Sequence, residues 1–302
     1  MLWKRIISAV LLLGSAALLL FVLPAVVGVV VLMAAAALGL MEFYTILNKA
    51  GIPAFRLLGI GSGLVLMAGL FLGLNASTLL PASMGRLAAE APLLLFAVIV
   101  FVVCVRQFPQ KNNPQPLPTI ACTMMGLLYV PFLLAFMLFL AFRWEPVTWG
   151  QPFGPTAHAL ILYLVVVVKS SDIGAFAVGR TFGRHKLFPR VSPGKTWEGL
   201  AGGLVVGVLM SALIFWWLGR GLPHAAFGCL VVTRTDAWVL GAVLSAIGVV
   251  GDLIESLLKR SAGLKDSGCT IPGMGGILDV LDSLLFATPA LYFYLLWAAV
   301  VR

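Results

Sequence analysis

A stripe of polar residues stands out in the second half of an otherwise apolar chain. The segment GDLIESLLKR places Asp252, Glu255, Ser256, Lys259 and Arg260 at positions i, i+3, i+4, i+7 and i+8. Residues at these spacings share one face of an α-helix. Acids at membrane depth are costly and usually face the protein interior. The stripe therefore predicts a functional carboxylate at Asp252, whereas Lys259 and Arg260 also fit ion pairs at a solvated helix end.

A second pair of acids follows along the chain. Asp279 and Asp282 lie three residues apart at the predicted start of the last helix. Taken alone, they fit a helix N-terminus equally well, because negative charge is favourable there. Together with Asp252 they need a counter-charge, and Mg²⁺ prefers a few carboxylates plus the phosphate oxygens of a substrate. The three acids therefore predict a divalent-metal site.

The loop between these acids, residues 261–276, is rich in glycine and small polar residues. It also contains Lys265 and Asp266. Exposed backbone N–H groups and a lysine can bind phosphates, although the GxxxxGK[ST] pattern of a Walker loop is missing. Such a loop is more often a simple turn, so it supports a phosphate site only beside the acids.

A basic segment precedes the acid stripe, from Lys169 to Gly199. Lys169 and Asp172 lie at i, i+3 within a predicted spanning helix, so they are expected to pair. Five basic residues follow, among them Arg190 and Lys195. They fit either an anchoring loop that obeys the positive-inside rule or an electropositive mouth for a polyphosphate and an anionic lipid headgroup.

Other catalytic patterns are missing from the sequence. The three histidines show no metal spacing, and neither an HExxH motif nor a Ser–His–Asp arrangement is recognisable. The four cysteines are scattered, and their spacing fits neither a zinc site nor a disulfide framework. The chemistry is therefore typical of metal-assisted phosphoryl or nucleotidyl transfer rather than acyl transfer or zinc hydrolysis.

The elements that must position these residues are membrane helices. Of the 302 residues, 61% are hydrophobic and only 10% are charged, whereas soluble domains carry about 25% charged residues. Only helices satisfy the backbone of such a chain in lipid. We predict an all-α polytopic membrane protein, in which the first helix is retained and not cleaved as a signal peptide. About nine apolar runs have spanning length, near residues 6–23, 25–46, 55–74, 91–106, 119–141, 157–178, 198–218, 237–258 and 281–300.

Loop charges predict the orientation in the membrane. If the N-terminus and the loops after helices two, four, six and eight share one side, that side holds 14 cations and the other side 5. The positive-inside rule then places the N-terminus and the acid-rich site at the cytoplasmic face of the membrane. We expect this membrane to be the inner or plasma membrane of a bacterial cell. The net charge of +9 has the same origin, so no nucleic-acid partner is expected.

Acidic residues divide the chain into two halves. Residues 1–150 contain three Asp or Glu residues, and residues 151–302 contain eight. We expect about five structural, dimerising or lipid-facing helices in the first half. The second half is expected to carry the catalytic helices, with cytosolic loops at 179–197 and 259–280.

These motifs resemble those of a known family. The stretch from Ser256 to Ser283 is similar to the signature of phosphatidate cytidylyltransferases, which reads S-x-x-K-R, four residues, K-D, a small-residue loop ending in H-G-G, and then D-R-x-D. The segment 172–199 resembles the second marked stretch of that family. Two positions depart from the signature, because Met274 replaces its histidine and Val280 replaces its arginine. All the acids of the signature remain.

The resemblance implies a helical membrane enzyme that joins CTP and phosphatidate into CDP-diacylglycerol and pyrophosphate. It implies Mg²⁺ as cofactor, with a monovalent cation such as K⁺ alongside. It also assigns the metal to Asp252 and Asp279. A homodimer is compatible with such a fold.

The remaining roles follow from the chemistry of each side chain. Asp266 and Asp282 are expected to support the metal ligands, and Ser256 to donate a hydrogen bond to phosphate or bind the metal. Asp172 is assigned to the same substrate site. The cations expected to clamp phosphates or to guide CTP and the lipid headgroup are Lys259, Arg260, Lys265, Arg190 and Lys195.

Two other classes of protein stay open on the sequence alone. A CTP-using polyprenol kinase would transfer the γ-phosphoryl group and release CDP. A secondary transporter would use Lys169, Asp172 and Asp252 as an ion relay. The sequence shows no internal inverted repeat of the kind found in transporters, which disfavours the second class.

Overall fold

The structure, a computed structural model, consists mainly of long helices, with two short antiparallel hairpins. It describes residues 14–75, 85–145, 150–219, 224–227, 230–271 and 275–301. Seven helices in these ranges are long and apolar enough to cross a membrane, so the prediction of an all-α polytopic membrane protein is confirmed. The predicted helix 6–23 lies partly outside the described residues, and the fourth is represented by a shorter apolar run, Glu90–Val105. The count of nine therefore stays a prediction.

Packing divides the chain into two units. The first comprises residues 1–153 and 261–280, and the second comprises residues 154–260 and 281–302. The glycine-rich loop after the acid stripe therefore packs with the N-terminal helices. The functional division expected at residue 150 stays a prediction.

The first unit is built from apolar helices. A π-helical turn, Leu128–Phe132, directly follows the helix Pro116–Leu127. It contains Pro131, which has no N–H to donate to the hydrogen-bond ladder of a helix. The predicted helix 119–141 is thus a single span with a π-helical interruption. The helices are α1 (Ala25–Lys49), α2 (Arg56–Leu74), α3 (Gly85–Val105), α4 (Pro116–Leu127) and α5 (Phe136–Phe142), and residues 14–21 are helical as well.

Tyr44 joins α1 to α2 and α4. Its hydroxyl donates to the carbonyl of Thr123 at 2.9 Å. Its ring occupies the space that side chains at Gly59 and Gly126 would need. The absence of a Cβ at both positions therefore allows the three helices to approach around one aromatic ring. A neighbouring apolar core contains Leu66, Ile99, Val103 and Leu127.

The second unit combines long helices with two short antiparallel hairpins. Helix α6 runs four residues further than its predicted end, so the expected loop 179–197 is mostly helix and hairpin. The elements are α6 (Pro155–Phe182), β1 (Lys186–Phe188), β2 (Ser192–Thr196), α7 (Trp197–Gly219), β3 (His224–Phe227), β4 (Leu230–Thr233), α8 (Arg234–Ser261) and α9 (Ile277–Val301), of which α9 begins in the first unit.

Helix α7 packs through a stripe of glycines at every fourth residue. A Cβ at Gly203 would lie 2.9 Å from the carbonyl oxygen of Ser171 in α6, and a Cβ at Gly207 would overlap the hydroxyl of Ser245 in α8. Gly199 meets the backbone of α6 in the same way. Small residues at this spacing are typical of close helix packing in membranes. The stripe fixes α7 against α6 and α8, which carry the polar residues of the site.

Local capping explains why Asp236 is buried without belonging to that site. Thr233 and Asp236 form a capping box at the start of α8, in which the Thr233 N–H donates to the Asp236 carboxylate at 2.7 Å. The hydroxyl of Tyr294 donates to the other carboxylate oxygen, also at 2.7 Å. Asp236 therefore fastens the start of α8 to the hairpin and to α9.

Candidate active site

Three carboxylates meet where α8 and α9 face each other in the second unit. Asp252, Glu255 and Asp282 each place one carboxylate oxygen within 4.8 Å of the other two. Glu255 is fully buried and Asp282 is only 7% exposed. Gly251 makes the close approach possible, because a Cβ there would lie 2.5 Å from the carbonyl oxygen of Asp282. We call these three residues the acid cluster.

Lys195 reaches the acid cluster from the hairpin β1–β2. Its ammonium group lies 2.8 Å from Asp252 Oδ2 and donates to the carbonyl of Val249 at 3.1 Å. The hydroxyl of Ser256 donates to Asp252 Oδ1 at 3.3 Å. The structure thus brings together three residues predicted for the site, Lys195, Asp252 and Ser256.

Lys259 lies one helical turn beyond Glu255 and forms an ion pair with it. Its ammonium group is 2.5 Å from Glu255 Oε2, and the residue is only 8% exposed. In this arrangement Lys259 holds Glu255 in place. Its predicted role as a phosphate clamp stays a prediction.

Asp172 belongs to a second polar group between α6 and α9. Lys169 Nζ lies 3.4 Å from Asp172 Oδ2, as the spacing of the two residues predicts, and it donates to the hydroxyl of Ser283 at 2.7 Å. Ser283 in turn donates to Asp172 at 3.2 Å. Because Ser283 directly follows Asp282, this group joins α6 to the turn of α9 that carries the acid cluster.

The cations Arg190 and Arg260 are exposed. Arg190 lies in the turn of the hairpin β1–β2, and Arg260 donates through Nε to the carbonyl of Val191 in the same turn at 3.2 Å. Glu198 fixes the base of this hairpin by accepting hydrogen bonds from the backbone N–H groups of residues 184 and 185. The two arginines therefore lie near one another and remain accessible to an anionic ligand.

Asp279, the second predicted metal ligand, is held by the glycine-rich loop of the first unit. Its Oδ2 accepts hydrogen bonds from the backbone N–H of Ser267 at 3.0 Å, from the Ser267 hydroxyl at 2.9 Å and from the N–H of Gly276 at 2.7 Å. Gly275 adopts a φ of +103°, which favours glycine. The glycine-rich loop thus surrounds the Asp279 carboxylate with hydrogen-bond donors.

Glu42 of α1 completes this arrangement. Its two carboxylate oxygens accept from the hydroxyls of Ser267 and Thr270, at 2.9 and 2.6 Å, and from the N–H groups of Ile277 and Leu278, at 2.9–3.0 Å. The last two are donors at the start of α9, where a negative charge is favourable. Glu42 therefore caps α9 from a distant part of the chain.

The other predicted residues of the loop have different surroundings. Lys265 and Asp266 are exposed, and Val280 is partly buried. Met274, which replaces the histidine of the signature, lies outside the described residues. The metal and phosphate roles predicted for Asp266, Asp279 and Lys265 stay predictions.

The acid cluster fits a divalent cation. Its donors are all carboxylate oxygens, the ligand type that Mg²⁺ prefers. When all three carboxylates are ionised, they and the ammonium groups of Lys195 and Lys259 sum to one negative charge, which favours a bound cation in a buried place. Asp252, Glu255 and Asp282 are thus the described residues best placed to hold a metal.

The sequence predicted this site only in part. Asp252 and Asp282 were expected near a metal, whereas Glu255 was recognised in the stripe but not assigned to the site. Its spacing of three residues from Asp252 was the available signal. Glu42 had no such signal, because its partners are more than 220 residues away along the chain.

Comparison with known proteins gives the family. The model of the cytidylyltransferase family matches residues 3–298. A phosphatidate cytidylyltransferase of Staphylococcus haemolyticus is 32% identical over 267 residues, which cover 87% of this chain and 89% of that protein. Proteins of the same name from Haemophilus influenzae and Bacillus subtilis are 44% and 46% identical. Those two matches cover 45% of this chain and 45% and 46% of the relatives, so each spans less than half of the relative's length. Because the family model spans nearly the whole sequence, the chain belongs to the cytidylyltransferase family.

Proposed function

We propose that this protein is a phosphatidate cytidylyltransferase, which converts CTP and phosphatidate to CDP-diacylglycerol and pyrophosphate. The observation that carries the proposal is the similarity over 87% of the chain to a relative of that name. The acid cluster beside Lys195 supports it, since nucleotidyl transfer requires charge neutralisation around a polyphosphate.

The proposed reaction is an in-line displacement. An oxygen of the lipid phosphate attacks the α-phosphorus of CTP, and a new P–O bond forms. The bond between the α-phosphorus and the oxygen bridging to the β-phosphorus breaks, and its electron pair leaves with pyrophosphate. The attacking phosphate is already an anion near neutral pH, so the step needs orientation and positive charge more than a general base.

We propose that Asp252, Glu255 and Asp282 hold Mg²⁺ in the second unit. When bound, the metal supplies charge neutralisation for the α-phosphate and the leaving group. Lys259 keeps Glu255 oriented, and Ser256 orients Asp252. On the basis of the sequence resemblance, we also propose Asp279 as a further metal ligand. The same resemblance suggests K⁺ as a second, accompanying cation.

The cations around the hairpin are proposed to bind the phosphates. Lys195 can exchange its carboxylate partner for a phosphate oxygen of CTP. Arg260 and Arg190 offer planar guanidinium groups for bidentate contacts, and Lys265 offers a point charge. The diacyl chains of phosphatidate stay in the bilayer, and we propose that the reaction takes place at the cytoplasmic face of a bacterial inner membrane, with the protein as a homodimer.

The test is incorporation of α-³²P-labelled CTP into lipid by the purified protein, with phosphatidate as acceptor and Mg²⁺ present. We expect a labelled CDP-lipid and one pyrophosphate for each lipid formed. Release of CDP with a prenol acceptor would instead support the kinase. Purified protein that forms no labelled lipid from phosphatidate, but takes up a solute into vesicles without nucleotide, would reject the proposal in favour of a transporter.

A further inference from the structure

A groove of about 740 Å³ lies at the turns of the first unit. The turn between α1 and α2 and the turn between α3 and α4 form its walls. Its lining includes the side chains of Phe55, Arg106, Gln110, Lys111, Asn113 and Thr119. The groove thus combines two cations, amides and an aromatic face, and none of these residues belongs to the candidate active site.

Arg106 makes a cation–π contact with Phe55. The guanidinium carbon lies 5.4 Å from the centroid of the phenyl ring. A cation–π contact involves the charge of the guanidinium and not its donors, so the N–H groups can still donate to an anion. A planar fork of donors held in this way suits the oxygens of a phosphate group.

The groove wall is ordered by its own hydrogen bonds. Asn113 Nδ2 donates to the hydroxyl of Thr119 at 2.7 Å and to Gln107 Oε1 at 3.2 Å, and Asn113 Oδ1 accepts from the N–H of Gln115 at 2.9 Å. Thr119 is buried and donates to the carbonyl of Gln115 at 2.7 Å. The turn that carries Lys111 is therefore built before any ligand binds.

The charge around the groove is strongly positive. The two turns, residues 48–56 and 105–116, contain Lys49, Arg56, Arg106 and Lys111 and no Asp or Glu. None of the salt bridges found among the described residues involves Arg106 or Lys111. Both cations remain available to an anion from outside the protein.

The position of the groove indicates a ligand from the membrane. It lies where the apolar helices Ala25–Lys49, Arg56–Leu74 and Pro116–Phe142 end or begin, which is the level of the lipid headgroups. Among the described residues, the three most exposed large apolar side chains are at these turns: Leu57 (85%), Phe108 (83%) and Leu117 (75%). A group of such exposed apolar side chains on a membrane protein marks a surface that contacts lipid, which favours acyl chains beside these turns.

We propose that this groove binds the phosphate group of an anionic phospholipid. Arg106 and Lys111 contact the phosphate oxygens, the amides of Gln110 and Asn113 lie beside the headgroup, and the acyl chains extend past the exposed apolar residues. Basic pockets between membrane helices are known to bind anionic headgroups in this manner. The inference does not rest on the proposed function, because it concerns the binding of an anionic lipid and includes no catalytic step.

The experiment compares two double variants of the full chain in detergent micelles. In R106Q/K111Q the groove loses both cations, whereas K49Q/R56Q removes two exposed cations from the same helix ends without changing the groove lining. Binding of phosphatidylglycerol, a phosphodiester that differs from the proposed substrate, is titrated by native mass spectrometry with phosphatidylcholine as the neutral reference. Each cation in direct contact with the headgroup is expected to contribute about 5-fold. Exposed cations outside the groove act only through the screened field at the micelle surface. We expect about 30-fold weaker binding for R106Q/K111Q and less than about 3-fold weakening for K49Q/R56Q.

Equal losses in the two variants would assign the binding to diffuse surface charge and overturn the proposal. Unchanged binding in both would overturn it as well. A parallel titration with sn-glycerol 3-phosphate separates the sources of phosphate: binding of the soluble ester that depends on Arg106 and Lys111, without binding of phosphatidylglycerol, would exclude the lipid. If R106Q/K111Q does not fold, K111Q with K49Q as its control tests the same difference at about 5-fold.

Discussion

Glu255 shows how burial and pairing define the candidate site at the level of single residues. It is fully buried, one helical turn from Asp252 and one turn from Lys259, with which it forms an ion pair. A buried carboxylate requires such compensation, because transfer of a lone charge from water is very costly. Glu255 also places one carboxylate oxygen within 4.8 Å of those of Asp252 and Asp282, so a bound cation could share it.

Removal of one charge from the acid cluster should weaken metal binding. For Glu255→Gln and Asp252→Asn we expect the Mn²⁺ dissociation constant, measured by electron paramagnetic resonance, to rise at least about 10-fold, since an amide oxygen replaces a carboxylate. The Mg²⁺ concentration for half-maximal activity should rise with it. The control is Glu90→Gln, which makes the same chemical change at an exposed position of α3. If Glu255→Gln binds Mn²⁺ as tightly as this control, the acid cluster is not the metal site.

Glu42 leads to a prediction about stability. A carboxylate accepts at both oxygens, whereas glutamine would turn an NH₂ donor toward hydroxyl and N–H donors at the start of α9. We expect Glu42→Gln to lower the free energy of unfolding by about 2–3 kcal/mol, from the lost charge-assisted hydrogen bonds. Thermal unfolding in micelles measures the change, and Glu90→Gln should shift it by less than about 0.5 kcal/mol. Equal shifts in the two variants would remove Glu42 as the cap of α9.

The difference between Asp252 and Glu42 shows which site residues the sequence could predict. Asp252, Ser256 and Lys259 share a stripe because helical spacing is a local property. The contacts of Glu42 with Ser267 and Thr270 connect segments more than 220 residues apart. No periodicity marks such a contact, so it could be found only from the fold.

At the scale of elements, the glycine stripe of α7 determines how closely the helices of the second unit pack. We expect Gly203→Leu to prevent normal assembly, because the first side-chain atom would already lie 2.9 Å from both a backbone oxygen of Ser171 and Cβ of Ala175. Size-exclusion chromatography of a fluorescent fusion should show loss of the single symmetric peak. Gly61→Leu provides the matched control, since nothing lies within 4 Å of a Cβ built there in α2.

Retention of the wild-type elution profile by Gly203→Leu would contradict the proposed packing.

Helix positions themselves were largely predictable, since apolar length is a strong signal and most predicted helices lie within a few residues of the observed ones. The hairpin β1–β2 was not predicted. Its segment has several Gly, Pro and basic residues and no apolar alternation, and Lys195 and Glu198 fix it through contacts that a local pattern does not reveal.

At the scale of the whole molecule, the cation distribution predicts which turns share a side of the membrane. In a cysteine-free background we expect Arg190→Cys and Gln110→Cys to react with a membrane-impermeant maleimide in inside-out vesicles and to be protected in right-side-out vesicles. Gly150→Cys, in the connection after the fifth predicted helix, should show the opposite pattern. All three positions are exposed. Labelling of Arg190→Cys and Gly150→Cys from the same side would make the predicted orientation wrong.

The ion pair between Lys195 and Asp252 has a consequence for how ligands bind. Each group neutralises the other, so a triphosphate that takes Lys195 leaves Asp252 without its counter-charge, and a cation that takes Asp252 leaves Lys195 without its own. Either ligand alone breaks the pair and gains one contact, while both together replace the pair with two. The affinities of nucleotide and divalent cation should therefore be positively and reciprocally linked. In equilibrium titrations of one ligand at several fixed concentrations of the other, each ligand should lower the dissociation constant of the other. A neutral residue at position 195 should abolish this coupling.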